Sequence, residues 1–274
     1  MTATSVFRTS DDSRIAYRVE GDPDKPALVL ANSIATSMEM WDGQVEALTK
    51  HFLLVRYDAR GHGRSDVPHG PYSLDRLGRD VVELLDELQL QRVNYLGLSL
   101  GGVVGQWLGI HAPERIDRLI LSNTSPYLGP VSHWRQQISW VLQPDNADAI
   151  ADRFIGNWFP ATMRQADSAV VRTFRSMVRA TDPRGIAGNF AALRDMDLRR
   201  VDALITRPTL VIAGRDDTVT LPEHGKLIAD TVAGAKLVVL PVVHLPNVEL
   251  ADAFLHHVLT FLLAADRAGA GRDR

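Results

Sequence analysis

One short stretch, Gly97-Leu98-Ser99-Leu100-Gly101, limits what this chain can fold into more than any other part of it. It follows an apolar strand pattern at residues 93–96 and precedes a run of small residues typical of a helix. A serine between a strand and a helix, with glycine two residues away on each side, indicates a sharp turn that lifts the serine Oγ above a sheet. The turn leaves little room for Cβ atoms at the two glycines. Ser99 is therefore a candidate nucleophile.

Apolar runs recur along the rest of the chain and alternate with helix-like segments. A hairpin pattern covers residues 6–19. Between residues 73 and 90, leucines and valines recur at helical spacing, with Ser73 as a candidate N-cap. Strands that alternate with helices predict the α/β class, a mostly parallel central sheet with helices on both faces. The apolar runs predict buried strands at residues 27–31, 52–56, 93–96, 116–121, 209–213 and 236–240.

The alternation stops between residues 126 and 207. This segment has helical patterns but no buried-strand pattern, and it contains Trp134, Trp140 and Trp158. We therefore predict a core formed by residues 1–125 and 208–274, with residues 126–207 as a helical lid over the carboxyl edge of the sheet. Aromatic residues at helical spacing more often form core than line a site, so most of them are expected to pack the lid.

The composition limits which classes of binding partner and which cellular compartment we expect for this chain. The 274 residues carry a net charge of −3, which gives no reason to expect nucleic acid or an anionic membrane as a partner. The absence of cysteine excludes disulfides, thiol catalysis and cysteine-ligated metals. The chain has no apolar leader at residues 1–12 and no run of about 18 apolar residues. We expect a cytoplasmic protein with no membrane partner.

A serine hydroxyl needs a base to take its proton and an acid to orient that base. Around a serine turn of this kind the chain order is serine, carboxylate, histidine. Asp216 and Asp217 follow the predicted strand at 209–213, and the Gly-x-x-Asp spacing favours Asp217 as the acid. The slot one strand earlier holds Asn123, which is not a carboxylate. Of the nine histidines, His244 has the right place for the base, just after the last predicted strand.

An acyl-transfer site also needs backbone N–H groups aimed at the developing oxyanion. One is expected at Leu100, directly after the serine. The other is expected at Ile34, in the loop that follows the strand at 27–31. In that loop Ser33 could turn its hydroxyl into the site, although serine is also a common turn former.

The chain carries a further set of stretches in a fixed order. They are LANSI at residues 30–34, MW at 40–41, RYDARGHGRS at 56–65, GPY at 70–72 and GLSLGG at 97–102. Together they resemble the 3-oxoadipate enol-lactonases of the α/β-hydrolase fold, and the likeness runs from about Phe7 to Leu263. The Asn32-Ser33 pair, in the loop after the strand at 27–31, is more specific for this family than the Gly-x-Ser-x-Gly turn. Two departures are Ala35 and Val243, because relatives commonly carry glycine at both places.

The resemblance implies that Ser99, His244 and Asp217 open a small enol-lactone through an acyl-enzyme, with no cofactor and no metal, in aromatic compound catabolism. The partner is a small-molecule lactone or ester, and homo-oligomer formation is left open. The family's substrate carries a carboxylate. Residues 126–200 of the lid have ten arginines against seven aspartates and no lysine or glutamate, so this segment carries an excess of positive charge. Trp134 and Arg135 are candidate substrate contacts, whereas Arg60 is expected to brace its own loop.

Three other functions remain open from the sequence. A general carboxylesterase would share every residue of the predicted triad. A carbon–carbon bond hydrolase uses a similar triad, although the enol-lactonase-like loop argues against it. A ligand receptor of this fold, with slow or no turnover, belongs to a different class, and the complete triad weakens it. Ser99 argues against a haloalkane dehalogenase, since the nucleophile of those enzymes is a carboxylate.

Overall fold

The computed structural model of the protein describes residues 3–166 and 168–264. Residues 265–274 of the predicted core lie outside this range. The described residues form one eight-stranded sheet. Its strands are β1 (Ser5–Arg8), β2 (Arg14–Glu20), β3 (Ala27–Ala31), β4 (Leu53–Tyr57), β5 (Val93–Leu98), β6 (Ile116–Ser122), β7 (Thr209–Gly214) and β8 (Lys236–Leu240).

The sheet has the predicted, mostly parallel arrangement. The strand order is β1-β2-β4-β3-β5-β6-β7-β8. β1 pairs antiparallel with β2 in the predicted hairpin, and β2 pairs antiparallel with β4. All remaining neighbours are parallel. Parallel strands end at the same edge of a sheet, so the loops after β3, β5, β6, β7 and β8 are brought together there.

Eleven α-helices are found among the described residues. Those of the core are α1 (Asp42–Thr49), α2 (Leu74–Glu87), α3 (Leu100–His111), α9 (Pro222–Thr231), α10 (Pro246–Glu249) and α11 (Ala251–Leu262). The others are α4 (Val131–Val141), α5 (Ala147–Trp158), α6 (Ala161–Gln165), α7 (Ala169–Ala180) and α8 (Pro183–Asp195). The predicted N-cap is confirmed, because Ser73 accepts a hydrogen bond from the Arg76 N–H.

The prediction of a buried strand at residues 236–240 is wrong in one respect. β8 forms at these residues, but most of its side chains are exposed, including Leu237 at 37% and Val239 at 47%. β8 is the last strand in the sheet order and has a strand neighbour on one side alone. An apolar run predicts a strand, but it does not distinguish an edge strand from an internal one. By contrast, every residue of β3, β5 and β7 is buried.

Helices α4 to α8 lie between β6 and β7, within the segment predicted as a lid, and are called the lid helices below. Helix α4 packs against α8, and α5 packs against α7. The lid aromatic residues pack mainly against one another, as expected. Neighbouring ring centroids lie 5.0–6.4 Å apart along the series Trp134, Phe190, Phe154, Trp158, Phe174 and Phe159. In the described part of the chain, no helix combines the length and the apolar character needed to span a membrane.

Candidate active site

Ser99 lies in the turn between β5 and α3 with φ of 56° and ψ of −113°. A positive φ is unfavourable for a residue with a side chain, so the strain lies at the serine itself. Besides the Val103 N–H of α3, which donates to the Ser99 carbonyl at 3.0 Å, two hydrogen bonds from the end of β6 hold this strained residue. The Ser99 N–H donates to the Ser122 carbonyl at 2.9 Å, and Thr124 Oγ1 donates to the Ser99 carbonyl at 2.8 Å. The end of β6 therefore fixes the backbone of the candidate nucleophile.

The two glycines that flank Ser99 are required for space. A Cβ at Gly97 would lie 2.1 Å from the Gly101 carbonyl oxygen, and one at Gly101 would lie 2.4 Å from the Ala31 carbonyl oxygen. Neither glycine has a positive φ. The prediction that the turn leaves little room for Cβ atoms at the two glycines is therefore confirmed. The unusual dihedral angle, in contrast, is found at Ser99.

His244 and Asp217 form a buried pair on the loops that follow β8 and β7. His244 Nδ1 lies 2.7 Å from Asp217 Oδ2, and both side chains are at most 1% exposed. A carboxylate only accepts hydrogen bonds, so the ring proton of neutral His244 lies on Nδ1. Its Nε2 then carries a lone pair, and no hydrogen-bond partner for Nε2 is found among the described residues. This arrangement suits a general base.

Four further donors hold the Asp217 carboxylate. Asn123 Nδ2 and Thr220 Oγ1 donate to Oδ2 at 3.0 and 2.7 Å. The N–H groups of Val219 and Thr220 donate to Oδ1 at 2.8 and 3.0 Å. Burial alone would raise the pKa of Asp217, but His244 and the hydrogen bonds outweigh it and hold that pKa below its usual value. Asp217 is therefore ionised at neutral pH and able to orient His244.

Asp216, the alternative acid, lies apart from the histidine. Its carboxylate is half exposed and pairs with the neighbouring guanidinium of Arg215 at 3.0 Å. That hydrogen bond lowers the pKa of Asp216. The geometry brings Asp217, and not Asp216, to His244.

The loop at residues 32–36 follows β3 and is called the β3 loop below. Asn32 is buried and makes structural contacts on both ends of its amide. Its Nδ2 donates to the Tyr57 carbonyl at 3.1 Å, and its Oδ1 accepts from Trp41 Nε1 at 3.1 Å. Its own carbonyl accepts the Gly101 N–H at 3.0 Å. Asn32 thereby joins the β3 loop to the start of α3.

The two candidate oxyanion donors are near neighbours in sequence of the residues that form this junction. Leu100 is the first residue of α3, and Ile34 is two residues beyond Asn32. The hydrogen-bond network of the described residues uses neither of these N–H groups. Backbone N–H groups without an internal acceptor, at the start of a helix and in a buried loop, can receive an anionic oxygen.

Ser33 is 1% exposed, and its main chain is fully engaged. Its N–H donates to Met40 Sδ at 3.3 Å, and its carbonyl accepts from Thr36 Oγ1 at 2.7 Å. Its Oγ, in contrast, has no hydrogen-bond partner among the described residues. A buried hydroxyl without a partner costs roughly 1–3 kcal/mol, which makes it a candidate contact for a bound molecule.

The two lid candidates differ in environment. Trp134 is 9% exposed, and its Nε1 donates to the Leu128 carbonyl, so its polar edge is already engaged. Arg135, the next residue on α4, is exposed. The pKa of Asp195 is lowered mainly by its hydrogen bond from Arg194, and the charge of Arg135 adds to this effect. A role for either residue in substrate binding stays a prediction. The lid does reach the site through Trp158, whose carbonyl accepts the His244 N–H at 3.5 Å.

A cleft of about 880 Å³ lies beside the site and not at its centre. It runs between α7 and the core, and its lining includes Met40, Phe174 and Asn247. Ser99 and His244 do not line it. Met40 Sδ accepts the Ser33 N–H at 3.3 Å, so the cleft wall adjoins the β3 loop.

Two residues that hold the site were not predicted as such. Asn123 was considered only as a missing acid, yet its amide bridges Asp217 and the Val243 carbonyl. His62 accepts the Ala35 N–H of the β3 loop at 2.8 Å. Asn123 directly follows a predicted strand, a signal that could have identified it. No spacing rule links His62 to a loop almost thirty residues earlier.

Comparisons with known proteins agree with this architecture. The family model of the alpha/beta hydrolase fold matches residues 26–249. The curated 3-oxoadipate enol-lactonase 2 of Acinetobacter baylyi is 35% identical, covering 91% of this chain and 93% of that protein. The crystal structure of a hydrolase from Pseudomonas aeruginosa is 56% identical, with a TM-score of 0.94, and covers 95% of this chain and 98% of that one. The enol-lactonase from Burkholderia xenovorans is 36% identical, with a TM-score of 0.92, and covers 95% and 100%.

Proposed function

This chain belongs to the alpha/beta hydrolase fold family, and we propose that it is a serine hydrolase that opens a small enol-lactone of the 3-oxoadipate enol-lactone type. The observation that carries the proposal is the buried His244–Asp217 pair at 2.7 Å, at the same edge of the sheet as the strained Ser99. A histidine with a free Nε2 lone pair and an ionised partner on Nδ1 is what an unactivated serine requires.

The mechanism is acyl transfer. Ser99 Oγ attacks the lactone carbonyl while His244 Nε2 takes its proton, and Asp217 stabilises the resulting imidazolium. The Ile34 and Leu100 N–H groups receive the oxyanion of the tetrahedral intermediate. The ring C–O bond then breaks, and the departing enolate takes a proton from His244. Water, deprotonated by His244, attacks the acyl-enzyme and frees Ser99.

The lactone class is favoured by the β3 loop as well as by the relatives. Asn32 is committed to structural contacts, because both ends of its amide are bonded within the protein. Ser33 beside it keeps an unpaired buried hydroxyl. We assign that hydroxyl to a polar atom of the substrate. The enol-lactonases from Acinetobacter baylyi and Burkholderia xenovorans support the same class.

The proposed substrate contacts, pathway and cellular location follow from the assignment to the enol-lactonases. Arg135 and Trp134 are proposed to face the free carboxylate of the lactone once it is bound. A place in aromatic compound catabolism and a cytoplasmic location complete the proposal. A general carboxylesterase is the competing function, since it would use the same Ser99, His244 and Asp217.

The test is a direct comparison of substrates and variants. The wild type should turn over 3-oxoadipate enol-lactone, followed by ultraviolet absorbance, with higher kcat/KM than simple p-nitrophenyl esters. Ser99→Ala and His244→Ala should each abolish turnover of both substrates without changing the circular dichroism spectrum. Ser5→Ala, an exposed serine in β1, is the matched control and should behave as the wild type.

The outcomes separate the functions. Faster turnover of the simple esters would replace the enol-lactonase with a carboxylesterase. Near wild-type kcat in Ser99→Ala or His244→Ala, with the fold intact, would exclude the acyl-enzyme mechanism. The two losses should be far from additive in the double variant, because residues that act as one unit give nearly the full loss when either is removed.

A further inference from the structure

His62 is buried behind the β3 loop, although the proposed reaction needs no second histidine. Only 2% of the residue is exposed. Both ring nitrogens meet main-chain groups. The Ala35 N–H donates to Nε2 at 2.8 Å, and Nδ1 lies 3.2 Å from the Arg60 carbonyl oxygen. The ring therefore spans the gap between the β3 loop and the loop that follows β4.

The two partners determine the position of the ring proton. Because the Ala35 N–H donates to Nε2, that nitrogen must carry the lone pair. Nδ1 then carries the proton and donates it to the Arg60 carbonyl. Burial lowers the pKa of His62 to about 4, so the ring is neutral at pH 7 and keeps its acceptor.

The bond from Ala35 acts on a strained residue. Ala35 has φ of 57°, in a region that costs a non-glycine residue on the order of 1–2 kcal/mol. Its peptide group directly follows Ile34, the proposed oxyanion donor. Without an acceptor for the Ala35 N–H, this peptide can rotate toward a relaxed conformation by changing ψ of Ile34 and φ of Ala35, and the backbone that orients the Ile34 N–H loses a restraint.

The same histidine is connected to the lid. The Arg60 carbonyl that accepts from His62 also accepts Asn189 Nδ2 of α8 at 3.1 Å. The backbones on the two sides are in close contact, since a Cβ at Gly185 would lie 2.1 Å from the Gly61 carbonyl oxygen. The Arg60 guanidinium is held separately, by Asp80 and Asp11 at 2.6 and 2.9 Å. A displacement of α8 therefore acts on the Arg60 carbonyl and on the ring bonded to it.

We propose that His62 is a positioning residue that keeps the Ile34 N–H aimed at the oxyanion and couples its position to lid helix α8 through the Arg60 carbonyl. The inference rests on the proposed serine-hydrolase function. His62 does not touch the substrate, and it acts through the main chain of Ala35. Its loss should lower kcat, because the oxyanion forms only during the reaction, while KM stays nearly unchanged.

Two conservative variants separate positioning from packing. The amide oxygen of His62→Gln can replace Nε2 as the acceptor for Ala35, whereas the amide nitrogen of His62→Asn can replace Nδ1 as the donor to Arg60. We expect kcat for p-nitrophenyl acetate to fall about tenfold to hundredfold in His62→Asn. His62→Gln should stay within about threefold of the wild type, by the same reasoning. His69→Asn, an exposed histidine on the same segment, is the matched control.

A comparison of kcat with the melting temperature separates the positioning role of His62 from its effect on folding stability. Melting temperatures should fall in both His62 variants, but kcat should fall only where the Ala35 acceptor is lost. Equal losses of kcat in the Gln and Asn variants, in proportion to their melting temperatures, would reduce His62 to a packing residue and overturn the proposal. Wild-type kcat in His62→Asn would overturn it as well.

Two further measurements keep this inference distinct from the proposed function. Labelling of wild-type Ser99 by a fluorophosphonate tests the serine mechanism alone, and its failure would remove that mechanism whatever the His62 variants do. Nitrogen-15 NMR of labelled histidine tests the geometry alone. It should show His62 with the proton on Nδ1, the less common form of free imidazole, and a proton on Nε2 would refute the bond from Ala35.

Discussion

At the residue scale, the neighbouring aspartates 216 and 217 show how environment separates two identical side chains. Asp217 is buried, accepts hydrogen bonds from four donors besides His244, and has a lowered pKa despite its burial. Asp216 is exposed and paired with Arg215. Only the first can hold a histidine in one tautomer and stabilise it when it becomes charged.

We therefore expect Asp217→Asn to lower kcat by several orders of magnitude, on the order of the ~10⁴ found for an analogous acid. The amide would favour the wrong tautomer of His244. Asp216→Asn, the matched control, should stay close to the wild type. Steady-state kinetics of both variants on one ester would decide the assignment, and the opposite ranking would transfer the role to Asp216.

The sequence was informative at this scale wherever a residue has a fixed place relative to a strand. Ser99, Asp217 and His244 each follow a strand that ends at the same edge of the sheet, so their placement at that edge could be predicted. The contacts of Asn32 and His62 could not, since they join loops that only the folded sheet brings together. Ala35 was recognised as a departure from glycine, and its φ of 57° gives the physical reason why glycine is common there.

At the element scale, the turn between β5 and α3 depends on glycine for close approach. Gly101→Ala would place a Cβ 2.4 Å from the Ala31 carbonyl oxygen, a contact that backbone atoms must move to relieve. We expect a loss of several kcal/mol of unfolding free energy, together with loss of activity, because overpacking at a main-chain contact is costly (about 1–3 kcal/mol, and occasionally more). Urea denaturation and ester turnover would measure both.

Gly156 provides the contrast for that variant. It lies inside α5, and a Cβ there meets no atom within 4 Å. Gly156→Ala should raise the unfolding free energy by roughly 0.5–1 kcal/mol, because alanine has the better helix propensity. A stable, active Gly101→Ala protein would show that the turn has more freedom than its geometry indicates.

The element scale also marks a limit of sequence reasoning. The hairpin, the parallel strands, the helix capped by Ser73 and the helical lid all follow from periodicity and chain order. β8 was correctly located but incorrectly assigned as buried, since Leu237 and Val239 are apolar and yet exposed. Strand order across a sheet depends on contacts between distant segments, and periodicity within one segment carries no information about it.

At the scale of the whole molecule, one buried acid is expected to make stability depend on pH. Asp202 lies in a short 3₁₀ helix, Val201–Leu204, between α8 and β7. It is fully buried, and neither carboxylate oxygen has a hydrogen-bond partner among the described residues. Burial raises the pKa of Asp202 to about 7. In the unfolded chain the pKa returns to about 3.9.

Between these two values the folded protein holds a proton that the unfolded chain has released. The protonated Asp202 therefore makes its full contribution to the free energy of unfolding below about pH 4. That contribution is lost as the pH rises toward 7. The difference corresponds to ~4 kcal/mol, at about 1.36 kcal/mol per pH unit. Asp202→Asn should raise the unfolding free energy at pH 8 and have little effect at pH 4, as measured by urea denaturation. Equal effects at both pH values, or the same gain in the exposed control Asp24→Asn, would contradict this assignment.

Substrate choice is also a property of the whole molecule, because it requires the lid and the core to close on the same ligand. If the site recognises a free carboxylate, a lactone that bears one should react better than its methyl ester, mainly in kcat/KM. Polar groups arranged around a charge are left unpaired when that charge is absent. Hydrogen bonds to a charged group, at roughly 1.5–3 kcal/mol, give about a tenfold to hundredfold preference.

Arg135 is the residue to which we assign this preference, and its exposure makes the prediction stringent. An exposed ion pair contributes about 0–1 kcal/mol, so a tenfold or larger effect requires the substrate and the lid to bury the guanidinium together. Arg135→Ala should then reduce kcat/KM for the acid to that of its methyl ester and leave neutral esters unchanged. Arg164→Ala removes the same charge from the exposed surface of α6 and should keep the preference. If the methyl ester reacts as well as the acid in the wild type, the pocket does not recognise a carboxylate, and a general esterase becomes the better assignment for this fold.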